Sequence, residues 1–133
     1  MFRLCAFDRS KESYAENVDQ PAWEVVDLAL EAAFKNGGFV DLCVISPADG
    51  FVEELTMKAI DGKYRIVALT RSSDPGADLF EWWEPEDLPF RGLVRFGEDD
   101  WDARTVSNDV SHAKKVFYEL FAKGDIVDGM RQM

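Results

Sequence analysis

The stretch FGEDDWDARTVS, residues 96–107, sets four carboxylates, Glu98, Asp99, Asp100 and Asp102, around Trp101. A little upstream, EWWEPED adds Glu81, Glu84, Glu86 and Asp87 around Trp82 and Trp83. Grouped carboxylates can ligate a hard cation, act as a general acid and base, or present negative charge to a basic partner.

A metal is the first chemistry to weigh. One histidine and two widely separated cysteines argue against zinc and other transition metals. Calcium and magnesium accept oxygen ligands, but a calcium loop needs acids at alternate positions, then a glycine and a distant glutamate. Here three acids are consecutive and Trp101 follows, so no metal is expected. Nucleophilic catalysis has no better footing. There is no G-x-S-x-G elbow, and His112, in DVSHAKK, reads as a helix-surface residue that can pair with Asp109 three positions earlier. NGGF and GADLFE are turns rather than phosphate cradles, so no nucleotide cofactor is expected. A hydrolase using two carboxylates from EWWEPED and EDDWD on a sugar or nucleotide stays open, because spatial separation is invisible in a sequence.

Charge distribution favours the third chemistry. The net charge is −11, and residues 72–102 alone hold ten acids, two bases and three of the four tryptophans. Such a surface repels a nucleic-acid backbone and would steer a basic protein. Tryptophan is among the residues most enriched at interface hot spots. The candidate partner-binding residues are therefore Glu81, Trp82, Trp83, Glu84, Glu86, Asp87, Glu98, Asp99, Asp100, Trp101 and Asp102. A strand sends successive side chains to opposite faces, so one of Trp82 and Trp83 should belong to the core. Trp101 could be a core anchor as well.

These side chains need a scaffold, and at 133 residues with 47% hydrophobic content a single domain, 1–133, with a proper core is expected. MFRLCAFD reads as a buried strand, and residues 9–20 as a polar loop over a sheet edge. PAWEVVDLALEAAFKNGG predicts a helix with Pro21 in its first turn, an apolar face of Trp23, Val26, Leu30, Ala33 and Phe34, and a Glu31–Lys35 pair outside. FVDLCVIS predicts a strand. Asp61-Gly62, between two alternating runs, is the strongest hairpin signal. Leu55, Met57 and Ala59 should point one way on the first strand of this hairpin, and Arg65, Val67 and Leu69 should share a side of the second. LFEWWE and FRGLVRFG predict strands, and WDARTVS a further short one. NDVSHAKKVFYELFAKGD predicts a second helix, capped by Asn108 or Asp109, with Val110, Ala113, Phe117, Leu120 and Phe121 inward and Gly124 at its end. IVDGMRQM reads as a tail with room for one more helical turn.

The class is thus α+β: a mainly antiparallel sheet of about five to six strands carrying two main helices on one face. The other face, or an edge, is left to present side chains. No stretch is long and apolar enough for a membrane span, and the N-terminal run is too short for a signal peptide. Cys5 and Cys43 lie in apolar runs and read as buried free thiols, so the expected location is the cytoplasm.

The stretch FRGLVRFGEDDWDARTVSNDVSHAKKVFYELFAKGDI, roughly the last third, resembles small bacterial immunity proteins from polymorphic-toxin loci. Such proteins neutralise the toxic tips of Rhs, contact-dependent or type VI effectors. The resemblance implies a small, cytoplasmic, non-enzymatic inhibitor of a toxin domain and assigns no particular residue. Charge and resemblance together predict an immunity protein that meets a basic toxin through an acidic, tryptophan-bearing surface. The rivals are the carboxylate hydrolase and a structural or regulatory domain that self-associates through apolar strand faces.

Overall fold

The computed structural model describes residues 1–11, 17–46, 50–71, 79–84, 88–125 and 129–133. The chain is α+β, with two helices on an antiparallel seven-stranded sheet and a separate two-stranded hairpin.

Strand β1 (Phe2–Asp8) leads to the short edge strand β2 (Asn17–Asp19), which pairs with it. Helix α1 (Trp23–Asn36) follows, then β3 (Gly38–Val44), β4 (Val52–Ile60) and β5 (Lys63–Thr70). Next come β6 (Leu79–Trp82), the hairpin β7 (Leu93–Phe96) and β8 (Asp99–Asp102), helix α2 (Val110–Lys123) and a last strand β9 (Met130–Gln132). The sheet order is β2-β1-β3-β4-β5-β6-β9. Seven strands exceed the five to six expected. The two short edge strands join the sheet, whereas β7 and β8 pair only with each other. A three-residue strand carries too little alternation to be read from sequence.

Alternation decides the two faces. Leu4, Val40, Leu42, Leu55, Met57, Ile66 and Ala68 point to one side, where they pack with Val26, Leu30 and Ala33 of α1 and Ala113, Phe117 and Leu120 of α2. Burying the valine, leucine, isoleucine, methionine and phenylalanine side chains among these contributes about 1.5–3 kcal/mol each before entropic costs, so this layer dominates stability. Trp23 and Phe34 pack at its margin, as the helical spacing predicts. Helix α1 begins at Trp23, one residue past Ala22, so Pro21 precedes the first turn rather than sitting in it. Glu31 does not join Lys35; with Asp27 it meets Lys114 of α2, which ties the helices together.

Turn chemistry behaves as the sequence suggests at the β4–β5 hairpin, where Asp61 (φ 52°) and Gly62 (φ 77°) both take positive φ. Gly38 is required for another reason. It has φ 148°, and a Cβ there would stand 1.9 Å from the Phe7 carbonyl oxygen, so β1 and β3 could not close. Asp109 caps α2 by accepting from the Ser111 N–H, and Gly124 ends it with its N–H on the Leu120 carbonyl. The strand expected over WDARTVS lies earlier, at Asp99–Asp102. The Asp102 side chain accepts from the Arg104 N–H and turns the chain into a single 3-10 turn, Ala103–Thr105. Residues 130–132 pair with β6 instead of extending a helix.

MFRLCAFD is buried on one side only. Cys5 and Phe7 lie half-buried on the face away from the helices, and both cysteines are free thiols. Among the described residues no helix is long and apolar enough to cross a membrane.

Candidate functional site

The β7–β8 hairpin has its own binary pattern. Val94 pairs with Trp101 and Phe96 with Asp99, while Leu93 pairs with Asp102 and Arg95 with Asp100. Alternation therefore divides it into a side bearing Val94, Phe96, Asp99 and Trp101, with Asp99 exposed at the tip, and a side bearing Leu93, Arg95, Asp100 and Asp102. The first side lies on the sheet face opposite the helices. The Arg65 guanidinium carbon stands 3.6 Å from the centre of the Trp101 ring, and Arg65 Nη2 donates to the Glu81 carboxylate. Arg65 is only 6% exposed. Burial pushes its pKa down, and the Glu81 charge and hydrogen bond oppose that push.

Four of the six described carboxylates of the acidic segment have cationic partners, Glu81 with Arg65 among them. Arg91 grips Glu84 through two bonds of 2.8 and 2.6 Å. Arg104 grips Asp102 through Nε at 2.9 Å and Nη2 at 2.7 Å. These bonds from Arg104 hold the Asp102 carboxyl down at a pKa of about 2. Arg95 Nε stands 3.2 Å from Asp100. Glu98 and Asp99, at the hairpin tip, are exposed and form no ion pair with the described residues. Glu86 and Asp87 lie outside the described residues.

The three tryptophans have three different places. Trp82 is 3% exposed and belongs to the core, 6.4 Å from the Tyr64 ring. As a contact for a partner it is corrected: strand alternation turns it inward and its neighbour outward. Trp83 is half-buried between the guanidinium groups of Arg104 and Arg131, at 4.9 and 4.6 Å. Trp101 is half-buried as the roof over Arg65. Glu81 is likewise turned to Arg65 rather than to solvent.

Two side chains that composition does not single out are the most exposed large apolar ones among the described residues of this region. Phe90 is 61% exposed and Leu93 is 63% exposed, and both border the Asp102–Arg104 pair. An exposed aromatic and an exposed leucine beside paired charges make an apolar spot with a polar rim, which is the anatomy of a binding surface. The segment's signal was its acids, and these apolar residues were read only as strand.

The remaining sheet face carries a second group. Asp41 accepts from Thr56 Oγ1 at 2.6 Å. Glu54 lies opposite Cys43 in the strand register, which sets the carboxylate beside the thiol. Burial pushes both carboxyls up, and it pushes the Cys43 thiol up to about 11. Alternation with the buried Val40, Leu42 and Val44 turns Asp41 away from the core, and nothing in the sequence sets Glu54 beside Cys43. Cys5 is opposite Asp41 and Cys43 opposite Arg3, so the two thiols share a face on neighbouring strands. Among the described residues no three His, Cys, Asp or Glu side chains converge as a metal-binding group. His112 stands 3.8 Å from Asp109, and its ring packs 5.8 Å from Trp82.

The fold is similar to a crystal structure of a hypothetical protein from Neisseria gonorrhoeae, with a TM-score of 0.67 and 14% sequence identity. That match covers 96% of this chain and 90% of that one, and it shows the fold alone. The comparison with curated proteins found no match. Residues 3–130 match a family of unknown function, DUF6911, and the chain belongs to that family.

Proposed function

We propose that this protein is a non-enzymatic inhibitory binding protein, an immunity protein that neutralises a bacterial toxin domain in the cytoplasm. Its contact surface is the outward side of the β7–β8 hairpin with the segment leading into it. The observation that carries this reading is the pair Phe90 and Leu93, held open to solvent at the base of the hairpin whose tip carries the uncompensated acids Glu98 and Asp99. Exposed apolar anchors supply affinity when a partner desolvates them, and rim acids raise the rate at which a basic partner arrives. Trp83 backs the spot from below, and Trp82, Trp101 and Glu81 keep the hairpin and strand in place.

The test uses a purified basic toxin domain encoded beside this protein's gene, titrated by calorimetry. Phe90→Ala with Leu93→Ala should weaken binding by roughly 30-fold or more, the effect of losing about 2 kcal/mol at a hot spot. Asp99→Asn with Asp100→Asn should mainly slow association and flatten its salt dependence. Unchanged affinity in the apolar pair and unchanged association in the amide pair would remove the hairpin from the interface. Hydrolysis of a sugar or nucleotide by the purified chain would sink the non-enzymatic reading.

A further inference from the structure

The sheet has a second surface with unsatisfied chemistry. The helices occupy one face, and on the other the hairpin reaches only the Ile60 and Arg65 end, with Gly97 against Ile60 and Trp101 over Arg65. Along β1, β3, β4 and the far half of β5 that face carries Cys5, Phe7, Phe39, Asp41, Cys43 and Glu54, with Thr56, Val67 and Leu69 beside them. All are half-buried.

The register puts Asp41 opposite Thr56 and Glu54 opposite Cys43, so the two carboxylates are diagonal neighbours on adjacent strands. The one hydrogen-bond donor to them among the described side chains is neutral, the Thr56 hydroxyl on Asp41. Neither makes an ion pair with a described lysine or arginine. Arg3, on the same face, is engaged by Asp19 at 2.7 Å, Arg65 is engaged by Glu81, and Lys58, opposite Phe39, is exposed and forms no ion pair with either carboxylate. A partly desolvated carboxylate without a cation is a cost the fold carries by itself. Next to the charges stand the stacked rings of Phe7 and Phe39, 6.0 Å apart, and the aliphatic Val67 and Leu69. An occupant that satisfies this face must bring a cation with apolar groups on either side. A second copy of the chain would set Asp41 and Glu54 against carboxylates of a molecule that also carries −11, so charge disfavours it.

We propose that this open sheet face docks a basic, amphipathic segment of a protein partner, seating a lysine or arginine side chain between Asp41 and Glu54 with its apolar neighbours on Phe7 and Phe39. The surface is separate from the hairpin, and the inference stands whether or not the partner is a toxin.

The experiment titrates the full, isotope-labelled chain with a short peptide alternating leucine and arginine, followed by amide chemical shifts. A peptide with citrulline in place of arginine keeps the shape and removes the charge. Saturable shifts are expected at Cys5, Asp41, Cys43, Glu54 and Thr56, with affinity at least about tenfold weaker for the citrulline peptide. Asp41→Asn with Glu54→Gln should lose the binding and melt no lower than the native chain, because it removes charges the free protein holds at a cost. Asp99→Asn with Asp100→Asn should bind the peptide as the native chain does, so failure here and failure of the hairpin interface read out separately. Shifts confined to residues 93–102, equal binding of the two peptides, or no saturable shift at millimolar peptide would each overturn the proposal. So would a dimer in sedimentation whose interface protects this face. The comparison of the two peptides needs no variant and decides the matter alone if the amide pair misfolds.

Discussion

Arg65 and Trp101 lie face to face across two sheets, the guanidinium carbon 3.6 Å from the centre of the indole. The same guanidinium bonds Glu81, so a buried ion pair sits under an aromatic roof and fastens the hairpin to the sheet. Trp101 therefore answers to the fold first. Any role for β8 in binding depends on this clamp keeping its strand in register.

Breaking the clamp should cost far more than replacing it. Glu81→Gln leaves a buried cation without its counter-charge and should destabilise by about 3–5 kcal/mol. Arg65→Leu combined with Glu81→Leu removes both charges and should cost much less. Urea unfolding of the three chains gives the comparison, and a Glu81→Gln loss below about 1 kcal/mol would contradict the clamp.

Tyr64 anchors helix α2. It is fully buried, its hydroxyl donates to the Asp109 carbonyl and accepts from the Ala113 N–H at 3.1 Å, and its backbone bridges Ser107. Tyr64→Phe should cost about 1–3 kcal/mol, because both groups at the start of the helix lose a buried partner. Its hydroxyl pKa is pushed up to about 12 by burial, so one tyrosine should resist ionisation in an ultraviolet titration of the native chain. Tyrosines that all titrate near 10 would mean the hydroxyl is not enclosed.

Stability should pass through a maximum in mild acid, because two sets of carboxyls act with opposite sign. Asp41 and Glu54 are raised in the folded state, so they destabilise while ionised, and the chain gains stability as pH falls through their folded values. Asp102 is lowered to about 2, so its contribution is complete above the ordinary carboxyl range of about 4 and is lost between there and about 2. Asp8 and Asp109 are also lowered, by hydrogen bonds from Ser10 and Ser111, and act in the same direction. Melting temperatures against pH check this. Asp41→Asn with Glu54→Gln should flatten the limb above the maximum, and Asp102→Asn should shrink the acid limb.

Cys43 should be slow to alkylate. With the thiol at about 11, roughly one molecule in a thousand is thiolate at pH 8, against about a quarter for an ordinary cysteine. Burial is the main cause and the Glu54 charge the second, so Glu54→Gln should speed the reaction with iodoacetamide. Mass spectrometry of the native chain should find Cys43 largely unmodified when the unfolded chain is fully labelled. Equal rates in the native and unfolded chains would count against an enclosed thiol.

Features governed by neighbours in sequence were legible, and those governed by distant pairing were not. The apolar spacing of Val26, Leu30 and Ala33, the cap at Asp109, and the positive φ demanded at Asp61-Gly62 are local, and both helices and the central hairpin follow from them. The face shared by Arg65, Val67 and Leu69 follows from alternation alone. Which acids remain uncompensated depends on Arg65 and Arg104, both outside the acid-rich window, and no local pattern joins them to Glu81 and Asp102. The inward turn of Trp82 was one of two equal choices until β6 paired with β5 and β9. The pairing of Glu81 with Arg131 across β6 and β9 spans a separation that periodicity does not reach.

Both margins of the main sheet end in strands of three residues, Asn17–Asp19 on one side and Met130–Gln132 on the other. A margin that short offers few free backbone donors and acceptors in a row, and Asp19 and Arg131 add charge to each. Open β-sheets are otherwise templates for edge-to-edge polymerisation, and brief, charged outer strands deny an incoming chain the length it needs to add on. The molecule can therefore leave a broad sheet face uncovered at high concentration without seeding cross-β fibres from its sides.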